Sequence, residues 1–161
     1  MGKELRNKIN ELDDSHAVKL FNFFGEQLLS SLNENDLTVK IAPELKTDKN
    51  LNQIISIDPD VMLKNLSPAQ SAEVARKFLL YAADDASLSP LLQKALDEFK
   101  AKDDLLVGAI LAVGFAASML IFACTTGLEA KFGNATVTKK PASPAIIKAI
   151  MEPFTKIVEK L

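Results

Sequence analysis

Cysteine and histidine are almost absent from this chain, whose 161 residues include one of each, Cys124 and His16. A single cysteine cannot form an internal disulfide, and one histidine beside one cysteine cannot supply the ligands of the usual zinc sites. The sequence therefore excludes a disulfide-stabilised scaffold and a zinc module. An excess of one charge is also lacking, since 19 basic residues face 21 acidic ones. We expect no nucleic-acid partner, because this composition cannot provide a uniformly basic surface.

The residue combinations that carry out catalysis are missing as well. Asp14, Ser15 and His16 are the residue types of a hydrolase triad, but neighbours in sequence point in different directions and cannot form the proton relay. Cys124 ends an apolar run, an environment that disfavours the reactive thiolate. Asp58 and Asp60 lack the further carboxylates and the glycine of a calcium loop. We predict a protein that is not an enzyme, with no catalytic residue, no metal and no cofactor.

The strongest feature that is present is a long stretch without charge. Residues 105–124 contain no charged residue, Asn, Gln, His or Pro, and ten of the twenty are Leu, Ile, Val or Phe. These ten contribute about −3 to −6 kcal/mol to insertion at the centre of a bilayer. As a helix, the stretch would be about 30 Å long and would match the hydrocarbon core. It predicts a membrane-spanning helix, with a lipid bilayer as the expected partner.

Two other interpretations of residues 105–124 stay open. The central helix of a soluble bundle is also apolar on all sides, and the two glycines and five alanines of the run suit close helix packing in either solvent. A hairpin that enters the bilayer only partway is the third interpretation. Within the run, small residues at every fourth position would lie along one stripe of a helix and would let a second copy approach closely, so we predict a homo-oligomer that packs through Gly108, Ala112 and Ala116.

Helical periodicity dominates the rest of the chain. A first helix ends before Asp13-Asp14-Ser15, which also caps the next one, with a histidine that faces solvent. Four further helix starts place an Asp or Ser before a proline, because the side-chain oxygen can accept a free backbone N–H and the proline suits the first turn. They are Asp58-Pro59, Ser67-Pro68, Ser89-Pro90 and Ser143-Pro144.

Apolar residues recur at helical spacing after these starts. They are Leu5, Ile9 and Leu12; Ala17, Leu20, Phe21, Phe24, Leu28 and Leu32; Ala69, Ala72, Ala75, Phe78, Leu79 and Ala82; Leu91, Leu92, Ala95, Leu96 and Phe99. Residues 37–41 alternate apolar and polar and predict a short strand or extended loop. Asp103-Asp104 predicts a cap for the apolar run, since carboxylates are favourable at a helix N-terminus.

The C-terminal part predicts a β-hairpin followed by an amphipathic helix. Gly133-Asn134 suits a tight reversal between residues 128–132 and 135–139. From Pro144 the apolar residues repeat at helical spacing, with Lys and Glu on the opposite face, and Pro153 is expected to kink the helix. A small basic cluster beyond the apolar run is a possible contact for anionic headgroups, with a solvated turn as the alternative; it comprises Lys131, Lys139 and Lys140.

The cues for membrane orientation conflict. Residues 1–104 carry a net charge of −5 and residues 125–161 a net charge of +3. With no apolar stretch behind Met1, the sequence predicts no cleavable secretion signal, so the N-terminal domain is expected in the cytoplasm and the tail across the membrane. An excess of lysine, however, normally stays on the cytoplasmic side. An apolar helix that is released from a soluble protein only on a signal would satisfy both cues.

The fold class expected from these patterns is mainly α, in three parts. Residues 1–104 form a helical soluble domain, residues 105–124 an apolar membrane-spanning helix, and residues 125–161 a β-hairpin plus an amphipathic helix. The expected function is a non-enzymatic anchor, adaptor or membrane-perturbing oligomer at the cytoplasmic membrane. The alternative is a cytoplasmic, soluble all-α module that binds an unidentified protein partner and buries residues 105–124 in its core.

Overall fold

The computed structural model describes residues 2–29, 48–56, 58–102, 128–132, 135–139 and 144–159. Within these ranges the chain is mainly helical, which confirms the predicted class at that level. The helices are α1 (Gly2–Glu11), α2 (Asp14–Leu29), α3 (Lys49–Ser56), α4 (Pro59–Lys64), α5 (Pro68–Asp84), α6 (Ser89–Lys102) and α7 (Pro144–Val158). The strands are β1 (Leu128–Phe132) and β2 (Ala135–Lys139).

Helix α5 begins as its sequence predicts. The hydroxyl of Ser67 accepts a hydrogen bond from the Gln70 backbone N–H at 3.1 Å, and the Gln70 side chain accepts one from the Ser67 N–H at 2.9 Å. This reciprocal capping box satisfies two backbone donors that the helix itself leaves unpaired. Pro68 follows in the first turn, where its missing N–H costs nothing.

The other Asp-Pro and Ser-Pro starts agree with the structure to within one residue. Helix α4 begins at Pro59 and α7 at Pro144. Helix α6 begins at Ser89 itself, one residue earlier than predicted. The reason is an aspartate upstream: Asp85 accepts hydrogen bonds from the backbone N–H groups of Ser87 and Leu88, and the resulting turn leads directly into the helix.

One continuous core joins helices from both ends of the chain. Helix α5 contacts α1, α2, α6 and α7, and α7 also contacts α3. The Phe78 ring of α5 lies 5.5 Å from the Phe21 ring of α2 and 6.3 Å from the Phe154 ring of α7, measured between centroids. Since all three rings are almost completely buried, α7 is part of the same apolar cluster as the N-terminal helices. The predicted division of the chain into three parts stays a prediction.

Ala69 continues the apolar spacing of α5 but is exposed on its first turn, so the buried face of α5 begins after it. The His16 side chain, which was expected to face solvent, is 36% exposed, and its ring also meets the Phe99 ring edge-on at 6.3 Å. Helix α3 was not predicted at all, although its Ile54 is buried in the core.

Strands β1 and β2 form an antiparallel pair in which Leu128 is opposite Lys139 and Phe132 is opposite Ala135. Strand β1 also contacts α2. Residues 133 and 134, the predicted tight reversal, lie outside the described residues, as do the predicted strand at 37–41, Leu32, Ser143 and the Asp103-Asp104 cap.

The predicted membrane-spanning helix at residues 105–124 also lies outside the described residues. In the part of the chain that the structure describes, no helix combines the length and the apolar character needed to cross a bilayer. Helix α7 continues through Pro153, which is buried within it.

Candidate functional site

The structure reaches only some of the residues predicted to form sites. Gly108, Ala112 and Ala116, the predicted helix-packing stripe, lie outside the described residues, and so does Lys140. Their roles stay predictions.

Lys131 and Lys139, the other two lysines of the predicted headgroup contact, lie in the paired strands. Lys131 is opposite Thr136, whereas Lys139 is opposite Leu128. Residues that are directly opposite share a face of a two-stranded sheet and successive residues alternate between faces, so the register assigns the two lysines to opposite faces. The contact of these lysines with headgroups stays a prediction.

The described residues hold no arrangement that could bind a metal ion. Across residues 2–29, 48–56, 58–102, 128–132, 135–139 and 144–159, no three His, Cys, Asp or Glu side chains come close enough to ligate one. For the whole chain, the predicted absence of metal and catalytic residues stays a prediction.

The junction between α1 and α2 gathers the most specific polar contacts. The Asp13 carboxylate accepts hydrogen bonds from the His16 backbone N–H at 2.8 Å and pairs with His16 Nδ1 at 2.7 Å. The backbone hydrogen bond, reinforced by the ring contact and by the charge of Lys19, holds the pKa of Asp13 below its ordinary value. Asp13 is thus the N-cap of α2, in agreement with the sequence pattern.

Arg76 of α5 fastens the same junction from the other side. Its guanidinium donates to the Asp14 carboxylate and to the Leu12 backbone carbonyl, both at 2.6 Å. One planar guanidinium therefore bonds both to the Asp14 carboxylate at the start of α2 and to the Leu12 carbonyl. A lysine could not make both contacts with the same geometry. Arg6 of α1 and Asp84 of α5 form a second ion pair between these helices. These contacts hold the junction between α1 and α2 against α5.

The described elements on either side of residues 103–127 contact the same helix. Helix α6, which ends at Lys102, contacts α2, α5 and α1, and β1, which begins at Leu128, contacts α2. The next helix, α7, contacts α5 and α3. The chain therefore leaves one helical body at Lys102 and has returned to that body by Leu128.

The exposed face of α7 is the most regular charged surface among the described residues. At steps of three or four residues, it carries Lys148, Glu152, Lys156 and Glu159, and all four are exposed. Glu152 and Lys156 form an ion pair at 3.5 Å while their side chains stay 55% and 56% exposed. Between these charges lie Ala145, Ala149 and Thr155. A groove of about 550 Å³ runs along this face, and the described residues that line it all belong to α7.

Sequence reasoning identified these four charged residues as the polar side of an amphipathic helix but assigned no role to them. The available signal was the alternation of sign, positive, negative, positive, negative, along a single helical stripe. Sequence reasoning also missed Arg76 and Asp85, whose roles depend on carbonyls and N–H groups positioned by tertiary structure.

Comparison with known proteins yields no relationship from which function could be inferred. No family model matches the chain, and no curated protein and no solved structure is significantly similar to it.

Proposed function

We propose that this protein is a non-enzymatic, membrane-associated anchor or adaptor that attaches to a bilayer from one side through residues 105–124. The observation that carries the proposal is the shared contact of α6 and β1 with α2. These two elements flank the uncharged stretch, so whatever residues 103–127 contact, both of their ends start from the same folded body.

Chain length makes this observation a support for one of two membrane arrangements. A straight helix over residues 103–127 would be about 37 Å long and would separate its ends by the full thickness of the hydrocarbon core. Such a separation disfavours contact of both flanking elements with α2, which is 16 residues and about 24 Å long. A segment that enters the bilayer and returns to the same side keeps both contacts. The same apolar residues favour its insertion.

Attachment from one side also removes the conflict between the orientation cues. The net charge of +3 on residues 125–161 stays on the side that holds residues 1–104, so no excess of lysine is transferred across the membrane. A homo-oligomer at the membrane, or an unidentified protein partner bound by the helical body, is compatible with this arrangement.

A soluble all-α interaction module is the second candidate, and one contact favours it. Phe154 of α7 is buried against Phe78 of α5, so the chain after the apolar stretch docks on the chain before it. A soluble module that covers residues 105–124 with its own helices requires docking of this kind.

The two candidates and the single crossing are separated by fractionation combined with cysteine labelling. In a Cys124→Ser background, one variant carries Lys94→Cys on α6 and another carries Ala145→Cys on α7; both positions are exposed. Each full-length variant is expressed, its membranes are extracted with carbonate, and sealed vesicles of known orientation are treated with a membrane-impermeant maleimide.

One-sided attachment predicts that the protein stays in the carbonate pellet and that both cysteines react from the same face of the vesicles. Reaction from opposite faces would establish a single crossing and overturn the one-sided arrangement. Recovery of the protein in the carbonate supernatant would overturn membrane attachment in favour of the soluble module.

A further inference from the structure

We infer that the exposed face of α7 pairs with the same face of a second copy of this chain, antiparallel and about a two-fold axis. The residues that carry the inference are Lys148, Glu152, Lys156 and Glu159, hereafter the α7 charge stripe. The surface differs from the predicted stripe at Gly108, Ala112 and Ala116, and the inference does not depend on membrane attachment.

The order of charges on this stripe is self-complementary in one direction only. If the axis crosses the stripe between Glu152 and Lys156, Lys148 of one copy and Glu159 of the other both lie about 8 Å from it along the helix. The Glu152 of each copy then faces Lys156 of the other with an offset of about 1.5 Å, which long side chains span easily. All four intermolecular contacts join opposite charges.

A parallel arrangement of the same two helices would do the reverse. Each residue would face its own copy, so lysine would lie opposite lysine and glutamate opposite glutamate, with repulsion at every step. The charge pattern therefore favours the antiparallel pair, which is compatible with a closed two-fold dimer.

The remainder of the face allows the approach that these ion pairs need. Ala145, Ala149 and Thr155 lie between the charged residues and line the groove of about 550 Å³, and their short side chains do not hinder the approach of a second helix. The Thr155 hydroxyl donates to the Met151 carbonyl at 3.1 Å within its own helix, so it presents little beyond its methyl group to a partner. The α7 charge stripe of a second copy would thus lie beside this groove.

Exposed ion pairs are individually weak and screened by salt, so we expect a dimer of modest affinity that dissociates as salt is raised. Glu152 and Lys156 already form an exposed ion pair at 3.5 Å within one helix, so part of the attraction in the dimer replaces one that the monomer has. In the dimer these two side chains form a four-charge network with their symmetry mates instead of a single exposed pair.

Reciprocal charge reversal tests the pairing directly. One full-length variant carries Glu152→Lys and Glu159→Lys, which makes its stripe wholly positive, and a second carries Lys148→Glu and Lys156→Glu, which makes it wholly negative. Association is measured by sedimentation velocity at low salt, in neutral detergent if the protein requires it, with circular dichroism to establish that each variant is folded.

We expect each variant alone to associate at least about tenfold more weakly than the natural sequence, and an equimolar mixture of the two to recover dimers. The matched control for the second variant is Lys94→Glu with Lys100→Glu, the same change of net charge on the exposed side of α6, and it should leave association unchanged. An equal effect of the control, or a mixture that does not recover dimers, would overturn the pairing.

A third variant separates this surface from the apolar stretch. If the natural sequence dimerises, Ala112→Leu should leave the α7 dimer intact. If the Ala112→Leu variant is monomeric and neither charge reversal affects association, self-association lies in residues 105–124 and the inference is overturned. A natural sequence that is monomeric at low salt and high concentration would overturn it as well.

Discussion

Single side chains at helix starts determine where the helices of this protein begin. Asp13 and Ser67 each accept a backbone N–H group that the first turn of a helix cannot satisfy internally, and Asp85 accepts two from the turn that leads into α6. Sequence alone identifies the first two, since the acceptor stands directly before a periodic apolar segment. It misplaces the third by one residue, because Asp85 acts through a turn that only the folded backbone reveals.

We expect the contribution of Asp13 to the free energy of unfolding to depend on pH. The folded state holds the pKa of this carboxyl below its ordinary value of 3.8, so the cap contributes fully above that value and is lost as the pH falls from there through the lower pKa of the folded state. Asp13→Asn keeps an oxygen acceptor but does not titrate. Unfolding by denaturant at several pH values should therefore show a shallower loss of stability below about pH 4 in the variant.

Glu26→Gln supplies the control for this measurement, since Glu26 is an exposed carboxyl of the same helix. An equal flattening of the pH dependence in both amide variants would mean that the cap at Asp13 is not its source.

At Ser67 the capping box predicts a measurable cost of substitution. Ser67→Ala removes the acceptor for Gln70 N–H and should lower the free energy of unfolding by about 1 kcal/mol. Ser89→Ala tests the same Ser-Pro pattern where the serine lies inside α6 rather than before it, and should cost less. Equal losses in the two variants would count against the difference between these helix starts.

Among whole elements, α7 shows where prediction from sequence reaches its limit. Its amphipathic pattern predicts a helix and a buried face, and Ile147, Ile150, Met151 and Phe154 are indeed buried. The pattern cannot tell which helices cover that face, because any apolar partner suits a period of 3.6 residues. The contacts with α5 and α3 depend on residues about 60 to 100 positions away. The hydrogen bond from Arg76 to the Leu12 carbonyl likewise joins residues 64 positions apart.

Docking of α7 predicts that its aromatic anchor is essential to stability. Phe154→Ala empties a site beside Phe78, and we expect it to cost about 3 to 5 kcal/mol of unfolding free energy. Val61→Ala is the control, since Val61 is 42% exposed and its truncation should change stability by less than about 0.5 kcal/mol. Similar losses in both variants, measured by urea denaturation, would contradict the assignment of α7 to the core.

We expect the described core of the molecule to unfold in a single cooperative step. Leu5 of α1 and Phe154 of α7 belong to one apolar cluster although they lie near opposite ends of the chain. Tyr81 is the only tyrosine and tryptophan is absent, so intrinsic emission reports on α5 alone. Transitions followed by Tyr81 emission and by far-ultraviolet circular dichroism should therefore coincide.

Leu5→Ala and Phe154→Ala extend this test to both ends of the molecule. Each should move the two transitions together, because either change weakens the same cluster. Two separated midpoints, one sensitive to each variant, would instead indicate independently unfolding parts.

The central place of α5 has a consequence for the order in which the protein can be completed during synthesis. The surface of α5 that receives Phe154 is translated some 70 residues before the residue that covers it. A nascent chain thus exposes this surface throughout the time when residues 105–124 leave the ribosome. Among the described helices, the one that closes the core emerges last, and until then a single polypeptide exposes two apolar surfaces. Chaperones or targeting factors that act on this protein would meet both surfaces in that interval, before release of the finished chain.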